Sequence, residues 1–233
     1  MIDSKRLILV LLPRATLVLF IILITLSMIC YPGGTYRDTT TEGYLFSQNF
    51  LSDLGRWTAW NGEQNFYSSF LFGWAFVGVG VVFTLFFLKL LPLLSSERKN
   101  YPVSIFGSAA GIVGGVFVAG VGLTPGDIAF NAHMLFANWF IRFFLVAAFC
   151  YAIVFYRSEL IGTKFASGYV LFALFIAVYI VILEFGPNIQ ESLWALKVQV
   201  VAQKIICLTF ILSVAFQTIG NDKAINLLLK ENS

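Results

Sequence analysis

GSAAGIVGGVFVAGVGLTPGDIAFNAHMLFANWFIR, residues 107–142, reads as two apolar helices joined by the turn Thr124-Pro-Gly-Asp127. The first arm belongs to an uncharged run, Val103–Leu123. The second continues apolar to Tyr156, broken by the chain's single histidine, two asparagines and an arginine. Each arm reaches the roughly 20 residues that cross a hydrocarbon layer. Gly107, Gly111, Gly115 and Ala119 repeat every four residues. That spacing lays small residues along one helix face, where a neighbouring backbone can approach closely. The hairpin therefore predicts an integral membrane protein packed through its third span, with a polar centre on its fourth.

Composition agrees. Of 233 residues, 59% are hydrophobic and only 12% charged, against about 25% charged in soluble domains. The mean hydropathy is +0.86, so lipid must solvate much of the surface. A net charge of +3 is too small to imply a nucleic-acid partner. Cys30, Cys150 and Cys207 are odd in number, far apart and set in apolar runs. They read as small packing residues with no metal-binding spacing, and no cofactor is expected.

Working outward from the hairpin, apolar runs predict spans at about 15–31, 66–91, 103–123, 128–156, 165–185 and 193–219. The fold class is an all-α integral membrane protein, one bundle of six transmembrane helices over 1–233. Lys5, Arg6 and Arg14 precede the first run, and no small-residue cleavage site follows. It reads as a retained span with a cytoplasmic N-terminus. Lys and Arg also concentrate in the loop around Glu97, Arg98 and Lys99 and in that around Arg157, Glu159 and Lys164. Both termini are then cytoplasmic, in a multi-pass protein of the bacterial inner membrane. The 32–65 loop, the Asp127 turn and the 186–192 loop lie outside. No inverted repeat relates the two halves. The 32–65 loop is long enough to expect a role for it. Its Tyr44, Phe46, Phe50, Leu51, Leu54, Trp57 and Trp60 would anchor it, with a short interfacial helix at 49–55.

Ionisable groups inside spans cost about 2.5–3.5 kcal/mol on insertion scales and usually face the bundle interior. Asp127, Asn131, Asn138 and Arg142 are spaced four, seven and four apart, which predicts one shared stripe. His133, nine residues from Arg142, points the other way. Lys197 and Lys204 share a face of the sixth span; Gln199 and Gln203 share another. Against these three embedded cations stands one embedded anion, Glu184, with Asp53 and Asp127 at the mouth. The imbalance predicts an outward-facing cavity for a lipid headgroup or small anion. Its candidate ligand-binding residues are Ser52, Asp53, Asp127, Asn131, His133, Asn138, Arg142, Glu184, Lys197 and Lys204. The competing view is that these groups only satisfy internal hydrogen bonds.

One histidine excludes a three-histidine zinc site, and neither a nucleophile elbow nor a phosphate loop is present. No catalytic residue is assigned. An alternative is an enzyme acting on a lipid headgroup with Asp53 and His133 as an acid–base pair. Another is a structural subunit of a membrane complex. Expected partners are membrane lipids and other membrane subunits.

Asn49-Phe-Leu-Ser-Asp-Leu-Gly55, Gly122-Leu-Thr-Pro-Gly-Asp127 and His133 together resemble the bacterial six-helix membrane proteins grouped as domain of unknown function 998. The Ser-Asp-x-Gly stretch is more distantly similar to the Frag/DRAM/Sfk membrane group, associated with lipid remodelling and membrane trafficking. The resemblance implies six helices and an outer polar cluster to which Ser52, Asp53, Asp127 and His133 belong. It implies no established reaction. Asn61-Gly62-Glu63 departs from the family's proline-containing approach to the second helix.

Overall fold

The computed structural model describes residues 4–94 and 97–231. Ser95 and Ser96, at the start of the expected basic loop, lie outside the described residues. Among the described residues six helices are long and apolar enough to span a membrane: α1 (Ser4–Cys30), α2 (Phe66–Leu93), α3 (Tyr101–Leu123), α4 (Phe130–Arg157), α5 (Ala166–Phe185) and α6 (Leu193–Glu231). The chain is a multi-pass, all-helical membrane protein. Lipid cannot satisfy backbone N–H and C=O groups, so each crossing segment closes its own ladder.

Two boundaries move beyond the expected spans. α6 continues twelve residues past Ile219, to Glu231. α1 begins eleven residues before the expected start. Its turn Leu7–Leu11 is a π-helix in which Leu12 N–H donates to Leu7 C=O. Pro13 explains this local widening. It has no N–H to offer the carbonyl four residues back, and its ring crowds that carbonyl. The released acceptor, Leu9 O, instead takes the Nδ2–H of buried Asn221, 3.3 Å away on α6.

Both terminal segments lie at one end of the bundle, joined by that bond and by the Arg6–Asp222 ion pair at 3.1 Å. The 97–100 and 158–162 loops share this end, where Ser158 Oγ donates to Glu97 Oε1 at 2.7 Å. The other three loops share the opposite end. There Asp127 accepts from Trp57 and Thr58, and Arg37 donates to Ile189 O and Gln190 O.

The glycines of α3 pack inside the bundle. Gly111 lies on the Phe87 ring, and Gly115 against Thr84 and the backbone of Gly80 in α2. Gly107 faces Cys150 and Tyr151 of α4, beside Gly114 on Phe144 and Gly120 on Phe136. The small residues thus form two faces, one for each neighbour, rather than one stripe. Phe83 of α2, Phe144 of α4 and Phe210 of α6 meet across the centre, with Phe144 and Phe210 stacked at 6.0 Å.

Candidate functional site

The long first loop is folded, and it fills the end of the bundle on which it sits. Gly34 adopts a left-handed φ of 81°, and a Cβ there would also strike the backbone of Trp60 and Asn61. The single helical turn Leu51–Gly55 lies between α2 and α6. Each side of its backbone is satisfied by a different helix.

Carbonyls go to the start of α2. Asn65 Nδ2 donates to Leu54 O and Arg56 O, Ser68 Oγ to Leu54 O, and Ser69 Oγ to Gly55 O. Ser68 in turn pairs with Ser27 of α1 at 2.9 Å. The other side goes to α6. Leu51 N–H donates to Gln203 Oε1 at 2.6 Å, and Lys204 Nζ donates to Asn49 O at 2.6 Å. Lys204 Nζ also stands over the rings of Tyr44 and Phe46, at 5.4 and 5.0 Å. Lys204 is eleven residues into α6, about 16 Å from its start. Segment 44–55 therefore reaches well down the helix as a plug.

Asn49 is fully buried and central to this plug. Its Oδ1 accepts from Leu45 N–H, and its Nδ2 donates to Gly34 O and Asp53 Oδ2. Asp53 Oδ2 also accepts from Phe50 N–H, and Oδ1 from Trp60 Nε1–H at 2.9 Å. The Arg56 guanidinium covers the Trp60 ring at 3.8 Å. Burial pushes the Asp53 carboxyl above the usual carboxylate range, against the lowering effect of these hydrogen bonds and of Arg56. Burial likewise raises the Tyr44 phenol.

Asp127 precedes α4, so it does not extend the predicted Asn131–Asn138–Arg142 stripe. Its two oxygens accept from Trp57 N–H and Thr58 N–H, each at 2.8 Å. It ties the α3–α4 turn to the long loop just past the plug. Asp127→Asn turns one acceptor into a donor facing an N–H. About 1–3 kcal/mol of local stability is expected to be lost, read as faster amide exchange at Trp57 and Thr58.

The remaining predicted residues divide among separate places. His133 Nδ1 lies 2.7 Å from Thr124 O, which makes Nδ1–H the donor and pins the ring to the end of α3. No hydrogen bond joins His133 to Asp53, whose oxygens are held within the loop. Arg142 pairs with Glu184 of α5 and donates to Asn138 O at 2.6 Å. α4 exceeds α5 by eight residues, about 12 Å. Arg142 therefore meets the end of α5, although it lies twelve residues into its own helix. The pair is half-exposed, and exposed pairs contribute about 0–1 kcal/mol. Asn131 and Lys197 are exposed, and Ser52 is half-buried. Lys197 shares a stripe with Lys204 but sits two turns nearer the helix start.

Arg142 and Lys204 are thus held by different partners, one by α5 and one by the plug. The groups that sequence reasoning left out of the site are Asn49, Tyr44, Trp60 and Gln203. Gln203 and Lys204 are on adjacent faces, yet both reach the plug because it wraps α6. The only signal for this in the sequence is the density of apolar anchors in the 32–65 loop. Among the described residues, no cluster of His, Cys, Asp and Glu fits a metal ion. No family model matches this chain, and no curated protein or solved structure matches it.

Proposed function

We propose that the chain binds a phosphate- or carboxylate-bearing group at the plugged end, carried by a lipid headgroup or free in solution. Lys204 is the cation that meets it, and segment 44–55 is the plug that yields to it. The reading takes this end as extracytoplasmic, from the weight of Lys and Arg at the other end. The motif resemblance drawn above supports such an outer polar cluster and supplies no reaction.

One observation carries the reading. The buried Lys204 ammonium is held by a neutral carbonyl and two ring faces, with no carboxylate within ion-pair distance among the described residues. A charge-assisted hydrogen bond is roughly twice as strong as a neutral one. An incoming anion therefore competes with Asn49 O for the same ammonium. Asp53 is one relay away, through Asn49.

Cys207 provides the readout. It lies one turn beyond Lys204 on α6 and is half-buried. In a chain with Cys30→Ala and Cys150→Ala, Cys207 is the only thiol. Glycerol phosphate, a soluble headgroup mimic, is expected to speed its labelling by a hydrophilic maleimide, whereas glycerol does not. Lys204→Gln is expected to abolish the response while leaving the fold intact. A response to inorganic phosphate as well assigns the recognition to the phosphate alone. A response to the mimic only assigns it to the headgroup. Equal labelling with and without either anion would overturn the reading.

A further inference from the structure

At the terminal end, a groove of about 490 Å³ lies between α4 and α5. Ala152, Ala166 and Ala173 contribute small side chains to it, and Phe149, Tyr156 and Val170 are exposed at its sides. On α4 the lining residues 149, 152, 153, 156 and 157 advance by threes and ones, which is one helix face. On α5 they are 166, 170 and 173, again one face. From Phe149 to Arg157 the groove runs about 12 Å along the helix axis.

Its exposed apolar walls belong to membrane-spanning helices, so its surroundings are acyl chains. One end carries a charge. Arg157 is the last residue of α4 and is exposed. Neither ion pair of the described residues includes it, and Glu159 on the same loop does not pair with it. Lys164, on the same connection, adds a second cation over the Phe165 ring at 5.3 Å. An apolar slot ending at a cation without a counter-ion, at the level where helices leave the bilayer, matches an acyl chain joined to an anionic headgroup.

We infer that this groove seats one anionic phospholipid of the leaflet on the terminal side, its chain along Ala152 and Ala173 and its phosphate on Arg157. The site lies at the opposite end from Lys204 and does not depend on the plug. Arg157 presents a planar fork of donors that suits two phosphate oxygens. A basic side chain near an anionic surface gives roughly fivefold in affinity.

The test is lipid retention. The full chain is reconstituted in nanodiscs holding equal phosphatidylglycerol and phosphatidylethanolamine, then extracted gently and read by native mass spectrometry. The wild type is expected to keep phosphatidylglycerol in excess. Arg157→Gln is expected to reduce that excess about fivefold. Ala173→Phe, which puts a ring in the slot, is expected to reduce retention of both lipids. Lys99→Gln, a basic change on a different loop, is expected to leave retention unchanged. Equal retention by wild type, Arg157→Gln and Ala173→Phe would overturn the inference. So would a dimer cross-linked through Phe149 that excludes lipid. Lys204→Gln leaves this result as it was, and Arg157→Gln leaves Cys207 labelling as it was, so the two proposals fail separately.

Discussion

Gly80→Ala is expected to be among the most damaging single-methyl changes available in this bundle, while Gly78→Ala two residues away is harmless. A Cβ on Gly80 would lie 2.5 Å from Gly115 O, 2.6 Å from Ala119 N and 2.7 Å from Ala119 Cβ. Two of those atoms are backbone, so no rotamer change relieves the contact; α2 and α3 must part. Overpacking typically costs about 1–3 kcal/mol, and this site belongs at the upper end. Separation also loosens the neighbouring contacts of Gly111 with Phe87 and Gly115 with Thr84. A Cβ on Gly78 meets nothing within 4 Å. Alanine there gains about 0.5–1 kcal/mol of helix preference. The check is thermal unfolding in detergent, followed by maleimide labelling of Cys150, which is buried in the folded bundle. Equal midpoints for the two variants would mean that α2 and α3 do not touch at Gly80.

Asn49→Ala is the second large effect, and it is local. Truncation strands Leu45 N–H, leaves Gly34 O with only the longer 3.4 Å bond from the Tyr31 hydroxyl, removes a donor from Asp53 Oδ2, and leaves a void at a fully buried position. A stranded buried polar group costs about 1–3 kcal/mol. A loss of about 3 kcal/mol in the seating of the plug follows, equal to roughly a hundredfold in the open fraction. Cys207 labelling should accelerate by that factor, while Cys150 stays protected and the six helices stay folded. If both thiols become reactive together, the plug and the bundle are one cooperative unit. If neither does, Asn49 does not hold the plug.

The contrast between these two sites shows which properties were legible before folding. The glycine spacing of the third span announced close helix contact, because a four-residue repeat is a helix face whatever packs on it. It did not announce that Gly107 turns to α4 while Gly111 and Gly115 turn to α2. That division depends on where the neighbouring helices stand. The polar residues behaved differently. Arg142, by its position in the run, belonged at mid-membrane. The shorter α5 brings Glu184 to its level, and the two form a half-exposed pair. Asp127 fitted a helical stripe by spacing alone, yet the Thr-Pro-Gly-Asp turn keeps it off the helix and presents it to the loop.

By itself the sequence determined six long apolar helices and the need for lipid around them. These follow from local properties: a backbone that must close its own hydrogen bonds in hydrocarbon, and runs long enough to do so. Once α1 extends over Pro13, that residue leaves the Leu9 carbonyl without its helical donor. Only the tertiary structure decided that Asn221, 212 residues away, supplies one. Only the tertiary structure, too, made the first loop a plug held by Gln203 and Lys204 across more than 150 residues. Hydrogen-bond partners separated by that much chain leave no period in the sequence. They are chosen when the packed helices bring donor and acceptor within about 3 Å and exclude the alternatives.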